Sequence, residues 1–255
     1  MTQRQPPAEQ RSTRLPSPVF LGLVAVALLS GVALYNDIGA QGIFAFLFVL
    51  SGWVVTLCLH EFAHALVAFR TGDRDVEHRG YLTLNPLKYT HIVFSIVLPI
   101  VFLVAGGIGL PGGAVFINRH ALRSRGAMSA VSASGPLTNL AIAIVLALVL
   151  AGSDGRNPFW AALAFLLFLQ VTAAVLNLIP IPGLDGYGVI EPWVPPSWQK
   201  QAQAIAPFAV LGLFALLWVP AVNAAFFGFI DGIVGLLGVT GLQVSRGYFL
   251  FQFWR

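Results

Sequence analysis

His60, Glu61 and His64 place three ionisable side chains within five consecutive residues, flanked by Leu57-Cys58-Leu59 and Ala65-Leu66-Val67-Ala68-Phe69. On a helix, positions four apart project from one face, one turn apart, so both imidazoles reach a single ion. That spacing suits zinc, with Glu61 beside the metal as a base for its bound water. Zinc brings such water to a pKa of about 7, which makes hydroxide available near neutral pH. Ligation needs neutral imidazoles, and an apolar helix favours the neutral form. The competing account is a chance pattern whose histidines are satisfied by interhelical hydrogen bonds. In mid-membrane a charged residue costs about 2.5–3.5 kcal/mol on insertion scales. Three ionisable groups in five positions need a reason, and metal binding supplies one.

Two histidines leave zinc short of a third protein ligand. The candidates near apolar spans are Asp185, Asp231, His91, His120 and Glu191. Asp185 stands out because it follows Asn177-Leu178-Ile179-Pro180-Ile181-Pro182-Gly183-Leu184, where two prolines break a span at its end. Unwound backbone at that depth is tolerated only where it is protein-lined or wet. His91 reads as an interfacial histidine. Cys58, the one cysteine, excludes an intrachain disulfide and reads as a packing thiol.

The elements that must position these residues are membrane helices. The chain has 255 residues, 57% hydrophobic and 9% charged. A soluble domain carries about 25% charged residues, so this is a membrane composition. The net charge of +4 comes from basic residues scattered among the connections, which read as orientation signals rather than a nucleic-acid surface. Spans of about 20 apolar residues are expected at Pro18–Tyr35, Gly42–Phe69, Met128–Ala151 and Phe159–Ile181. The tract Ala204–Leu242 holds one or two more, interrupted near Pro220 and Asn223. A signal peptide is the rival reading of the first run, but it lacks a convincing cleavage site.

Ile92–Ala105 is too short for a full crossing, has Pro99 in its middle and ends at Gly106-Gly107, so a re-entrant segment is expected there. Arg70, Arg74, Arg79 and Lys88 precede it, and Arg119, Arg123 and Arg125 follow. Re-entry puts both basic groups on the cytoplasmic side, and six spans keep every basic cluster there. Tyr81-Leu82-Thr83-Leu84 alternates like a strand, and Gly112–Asn118 is a second strand candidate, so the two are expected to pair. The expected fold is an all-α polytopic membrane protein with about six transmembrane helices, a re-entrant segment and a small β-sheet at the cytoplasmic face. Residues 1–17 form a polar tail, 18–245 the membrane domain with its core at 42–192, and 246–255 a C-terminal tail.

With these motifs the chain resembles the site-2 protease family of intramembrane zinc metalloproteases. The helix-borne His-Glu-x-x-His matches His60–His64, and the family's Asn-x-x-Pro-x-x-(Pro)-x-Asp-Gly pattern matches Asn177–Gly186. Leu82-Thr83-Leu84-Asn85-Pro86-Leu87 and Ser134-Gly135-Pro136-Leu137-Thr138-Asn139-Leu140 look like the bacterial branch. The similarity covers about Phe44 to Pro192, and one departure is Gly183, where relatives commonly place a proline. The resemblance implies one zinc ion bound by His60, His64 and Asp185, with Glu61 activating water. It also implies that Asn139 and Asn177 contact substrate. An interhelical hydrogen bond is the alternative for Asn139, and support of its own broken helix is the alternative for Asn177.

The implied activity is hydrolysis of peptide bonds in a membrane-spanning substrate, from a bacterial inner membrane with the site toward the cytoplasm. No inserted PDZ domain or soluble regulatory domain is expected, which leaves substrate choice to the membrane core or to a separate adaptor protein. The lipid bilayer is the other partner, and nucleic acid is not one. A catalytically silent membrane-binding relative and a zinc transporter are the other classes. The four intact polar residues oppose the first. Their clustering near one membrane face, rather than along a pathway, opposes the second.

Overall fold

The computed structural model describes residues 15–89, 115–153 and 157–254. Helix starts follow from local chemistry. α1 (Pro18–Tyr35) is capped by Ser17, whose hydroxyl accepts the Phe20 N–H at 3.1 Å, with Pro18 at the first helical position where its missing N–H costs nothing. α2 (Gln41–Thr71) is the long helix that carries the His-Glu-x-x-His motif. It stops at Gly72, whose φ of +138° and contact with the Ala121 carbonyl exclude a side chain. A short turn, α3 (Asp75–His78), follows. Ser124 caps α4 (Arg125–Leu150) and Asn157 caps α5 (Pro158–Leu178), each accepting a backbone N–H from the first turn.

Beyond these lie the short α6 (Asp185–Ile190), α7 (Pro196–Leu217), α8 (Pro220–Leu236) and α9 (Gly241–Phe251). α5 is the most enclosed long helix and packs against α2, α4 and α9. Gly247 of α9 lies directly on the Ala161 carbonyl, leaving no room for a Cβ. Between α2 and α5 the buried Gln170 amide donates to the Thr56 hydroxyl at 2.8 Å, and that hydroxyl donates to the Trp53 carbonyl at 2.8 Å. This polar tie lies one turn before His60 on the same face of α2. The outer surface is apolar, with Leu28, Leu29, Leu148, Phe208 and Leu236 exposed, as a lipid-facing surface requires.

Among the described residues, α1, α2, α4, α5 and α7 are long and apolar enough to cross a membrane. α8 and α9 qualify only as a pair bent by 111°, which gives a sixth span if the pair counts as one. The tract Ala204–Leu242 divides at Trp218 and Val219, just ahead of Pro220.

The expected β-sheet is absent from the described residues. Tyr81–Thr83 forms a 3-10 turn, flanked by Gly80 at φ +77° and Leu84 at φ +56°, both left-handed. Tyr81 and Leu82 are consecutive and both buried, which a strand with one packed face does not allow. Val115–Asn118 forms no ladder either. Its backbone donors go to carboxylates of α2 and the turn after it: Val115 N–H to Glu61 Oε2 at 3.2 Å, and Asn118 N–H to Asp73 Oδ2 at 2.7 Å. Apolar alternation was thus produced by a turn and by side-chain pairing. Ile92–Ala105, where a re-entrant segment is expected, His91 and Gly112–Ala114 lie outside the described residues.

Candidate metal centre

His60, Glu61 and His64 are all buried on α2, at 4%, 2% and 6% exposure, where ionisable groups need partners. The end of α5 supplies one. After Leu178 the chain unwinds through Ile179–Leu184 and re-enters a helix with Asp185 at its first position. Gly183 takes φ +100°, which proline cannot adopt, and a Cβ there would stand 2.8 Å from a Val210 methyl and 3.3 Å from the Ala206 carbonyl of α7. The departure from the family's proline is therefore a requirement of this loop. It aims Asp185 back under α2.

Three ligand atoms converge. Asp185 Oδ2 lies 3.3 Å from His60 Nε2 and 3.4 Å from His64 Nε2, and the two nitrogens are 3.1 Å apart. Tetrahedral zinc with bonds of about 2.0–2.1 Å holds its ligands about 3.3–3.4 Å apart, so this triangle has the dimensions of one face of a zinc site. Among the described residues it is the one cluster of three or more His, Cys, Asp or Glu side chains that fits a metal ion. Burial works to raise the Asp185 carboxyl, but the His64 and His60 imidazoles beside it hold it well below the usual carboxylate range. An ionised carboxylate at this point could complete a ligand set with the two imidazoles.

His64 is oriented by α4. Its Nδ1 lies 2.7 Å from the Val131 carbonyl, an acceptor, so Nδ1 carries a proton and Nε2 is the nitrogen that could bind a metal. His60 Nδ1 is buried without a hydrogen-bond partner among the described residues. Glu61 uses Oε2 to accept the Val115 N–H, while Oε1 lies 4.0 Å from His60 Nε2. One carboxylate oxygen is anchored, and the other faces the triad.

Known proteins are similar to this chain over most of its length. A zinc metalloprotease Rip2 of Mycolicibacterium smegmatis is 45% identical over 96% of each chain, and its Mycobacterium tuberculosis counterpart is 42% identical over the same share. The zinc metalloprotease YwhC of Bacillus subtilis is 34% identical over 67% of this chain and 84% of its own. The chain belongs to the site-2 protease family. No family model and no solved structure matches it.

As a member of the site-2 proteases, the chain also needs room for a peptide. The triad and Glu61 open into a cavity of about 640 Å³, walled by Val115–Ile117 on one side and by Gln203 and Val210 of α7 on another. Asn177 lines it. Asn139 is not among the lining residues; it is buried, with its Oδ1 unpaired among the described residues, one turn beyond Gly135 on the same face of α4. The other candidates for the third ligand go elsewhere. Glu191 is buried against Arg119 and the Gln203 amide, His120 is exposed, and Asp231 is exposed on α8. Sequence reasoning missed the Val131 carbonyl and the Val115 N–H. Both are backbone groups, which any residue type supplies, so no side-chain signal marked them.

Proposed function

We propose that this chain is an intramembrane zinc metalloprotease that cuts membrane-spanning substrates, with His60, His64 and Asp185 as the zinc ligands and Glu61 as the general base. The observation that supports this best is the triangle of ligand atoms, with both histidines buried and Asp185 part-exposed where α2, α4 and α6 meet, and with a free carboxylate oxygen facing it. Zinc bound there supplies a Lewis acid that polarises a carbonyl and acidifies water. Glu61 Oε1 takes the proton from the attacking water and passes it to the leaving amine. The Val115 N–H fixes the other oxygen, so the carboxylate does not rotate away between the two transfers. Val131 holds His64 in the ligating tautomer.

A helical substrate hides its carbonyls in hydrogen bonds, so the segment must unwind to be cut. Asn177 on the cavity wall and Asn139 behind it are the substrate-contacting residues in this reading, as partners for the freed backbone groups. The membrane domain spans 18–245, and the basic connections orient the site toward the cytoplasm of a bacterial inner membrane. Substrate choice belongs to the membrane core or to a separate adaptor.

Glu61→Gln tests the reading. The side chain keeps its shape and its contact with Val115, so zinc content is expected to stay at the wild-type level while cleavage of a reporter transmembrane peptide falls by about 10²–10⁴-fold, the usual worth of a positioned base. Purified Glu61→Gln protein that still cleaves at the wild-type rate removes Glu61 from the mechanism.

A further inference from the structure

Gly135 is in the interior of α4, where glycine is the poorest residue for a helix apart from proline. Gly212, Gly228 and Gly232 have nothing within 4 Å of where a Cβ would stand, while Gly42, Gly186, Gly188 and Gly247 lie close against other parts of the chain. Among the described helical glycines, Gly135 is the one that faces the two histidines. A Cβ there would lie 2.3 Å from His64 Nε2, 2.5 Å from His60 Nε2 and 2.6 Å from His60 Cε1. The distances to the two nitrogens are within a few tenths of an ångström of a zinc–imidazole bond, about 2.0–2.1 Å. The 2.6 Å to His60 Cε1 puts that Cβ against the ring rather than along the Nε2 lone pair, so a methyl group at Gly135 would collide with both imidazoles and crowd an ion bound to their nitrogens.

We propose that Gly135 forms the floor of the metal chamber, and that its missing side chain is the space that lets His60 and His64 hold an ion. This rests on the zinc reading of the triad. α4 contributes to the centre twice on one face, because Val131 and Gly135 are one turn apart. The Val131 carbonyl pulls the His64 ring against α4 at 2.7 Å, and Gly135 lets that close approach end with the nitrogen free. A methyl at 135 drives the two rings apart unequally. His64 cannot retreat without breaking its bond to Val131. His60, whose Nδ1 has no partner among the described residues, yields first and leaves the triad. Gly135 is thus a positioning residue for the metal rather than a catalytic one.

The test uses the purified full chain in detergent and reads zinc per chain and the visible spectrum after cobalt substitution. Wild type and Gly228→Ala are expected to hold one equivalent, and His60→Ala to lose it. Gly135→Ala is expected to lose at least about tenfold in zinc affinity, the scale seen when groups supporting a metal are altered, and to lack the tetrahedral cobalt bands. With chelator present, Gly135→Ala is expected to elute like metal-free wild type and to keep its helix content, because alanine suits a helix interior, with a Tm lowered only by the overpacking of the displaced His60 ring. Wild-type zinc content in Gly135→Ala overturns the assignment of Gly135 and leaves the zinc reading standing. Absence of zinc from wild type and from zinc-soaked membranes overturns the zinc reading itself. A Gly135→Ala protein that fails to fold even in chelator overturns the assignment as well, since the glycine then serves helix packing.

Discussion

Replacing Asp185 by asparagine keeps the size of the side chain and removes its charge. The remaining ligands, His60 and His64, sit 3.1 Å apart on one helix, so the variant keeps one edge of the triangle and loses the corner supplied by α6. Changes to groups that merely support a ligand cost about 10–100-fold in metal affinity, so loss of a ligand is set at about 100-fold or more. Stability reads this out, because an ion that binds only the folded chain stabilises it by mass action. At free zinc 100 times the wild-type dissociation constant the gain is about 2.7 kcal/mol, and a 100-fold weaker variant keeps about 0.4 kcal/mol. For a chain of this size each kcal/mol moves Tm by about 2–4 °C, so the zinc-induced rise in Tm is expected to shrink by about 5–9 °C. The assay is thermal unfolding in detergent at buffered zinc concentrations, beside the same scan in chelator, where wild type and Asp185→Asn should melt together. An undiminished zinc-induced shift in Asp185→Asn refutes the reasoning and moves the third ligand elsewhere in the chain.

Two further outcomes follow from the helix contacts. Thr56→Val removes the acceptor of the buried Gln170 amide and is expected to cost about 1–3 kcal/mol, read as a lower Tm in chelator; adding Gln170→Leu should restore most of it, and a double variant as weak as the single one refutes the pairing. Gly183→Ala puts a side chain on a φ of +100° and against Val210, so it is expected to shift the Asp185 loop and lower peptide cleavage while circular dichroism keeps the helix content of wild type; unchanged cleavage means the loop has another conformation available.

The helices and the candidate metal cluster were legible in the sequence for different reasons. Long apolar runs declare spans by length alone, and α1 occupies the expected Pro18–Tyr35. His60 and His64 are visible because four-residue spacing is local, and Asp185 because prolines mark the broken helix before it. The sheet was misread because alternation over four residues is also what a tight turn produces when it buries two neighbours, as Tyr81 and Leu82 do. The role of Gly135 was illegible for a deeper reason. Its chemistry lies in what it lacks, and only the approach of α4 to α2 gives that absence a meaning.

The centre joins side chains that lie more than a hundred residues apart in the chain, His64 on α2 and Asp185 after α5. Between them, among the described residues, lie the long helices α4 and α5, and α4 supplies the carbonyl that holds His64. During synthesis, α2 therefore leaves the ribosome with two histidines and a glutamate but no third corner and no support for the ring. The third corner arrives only when α5 and the turn carrying Asp185 have been made and packed. A chain that ends before Asp185 carries two histidines and a glutamate on one helix but lacks the corner that completes the cluster.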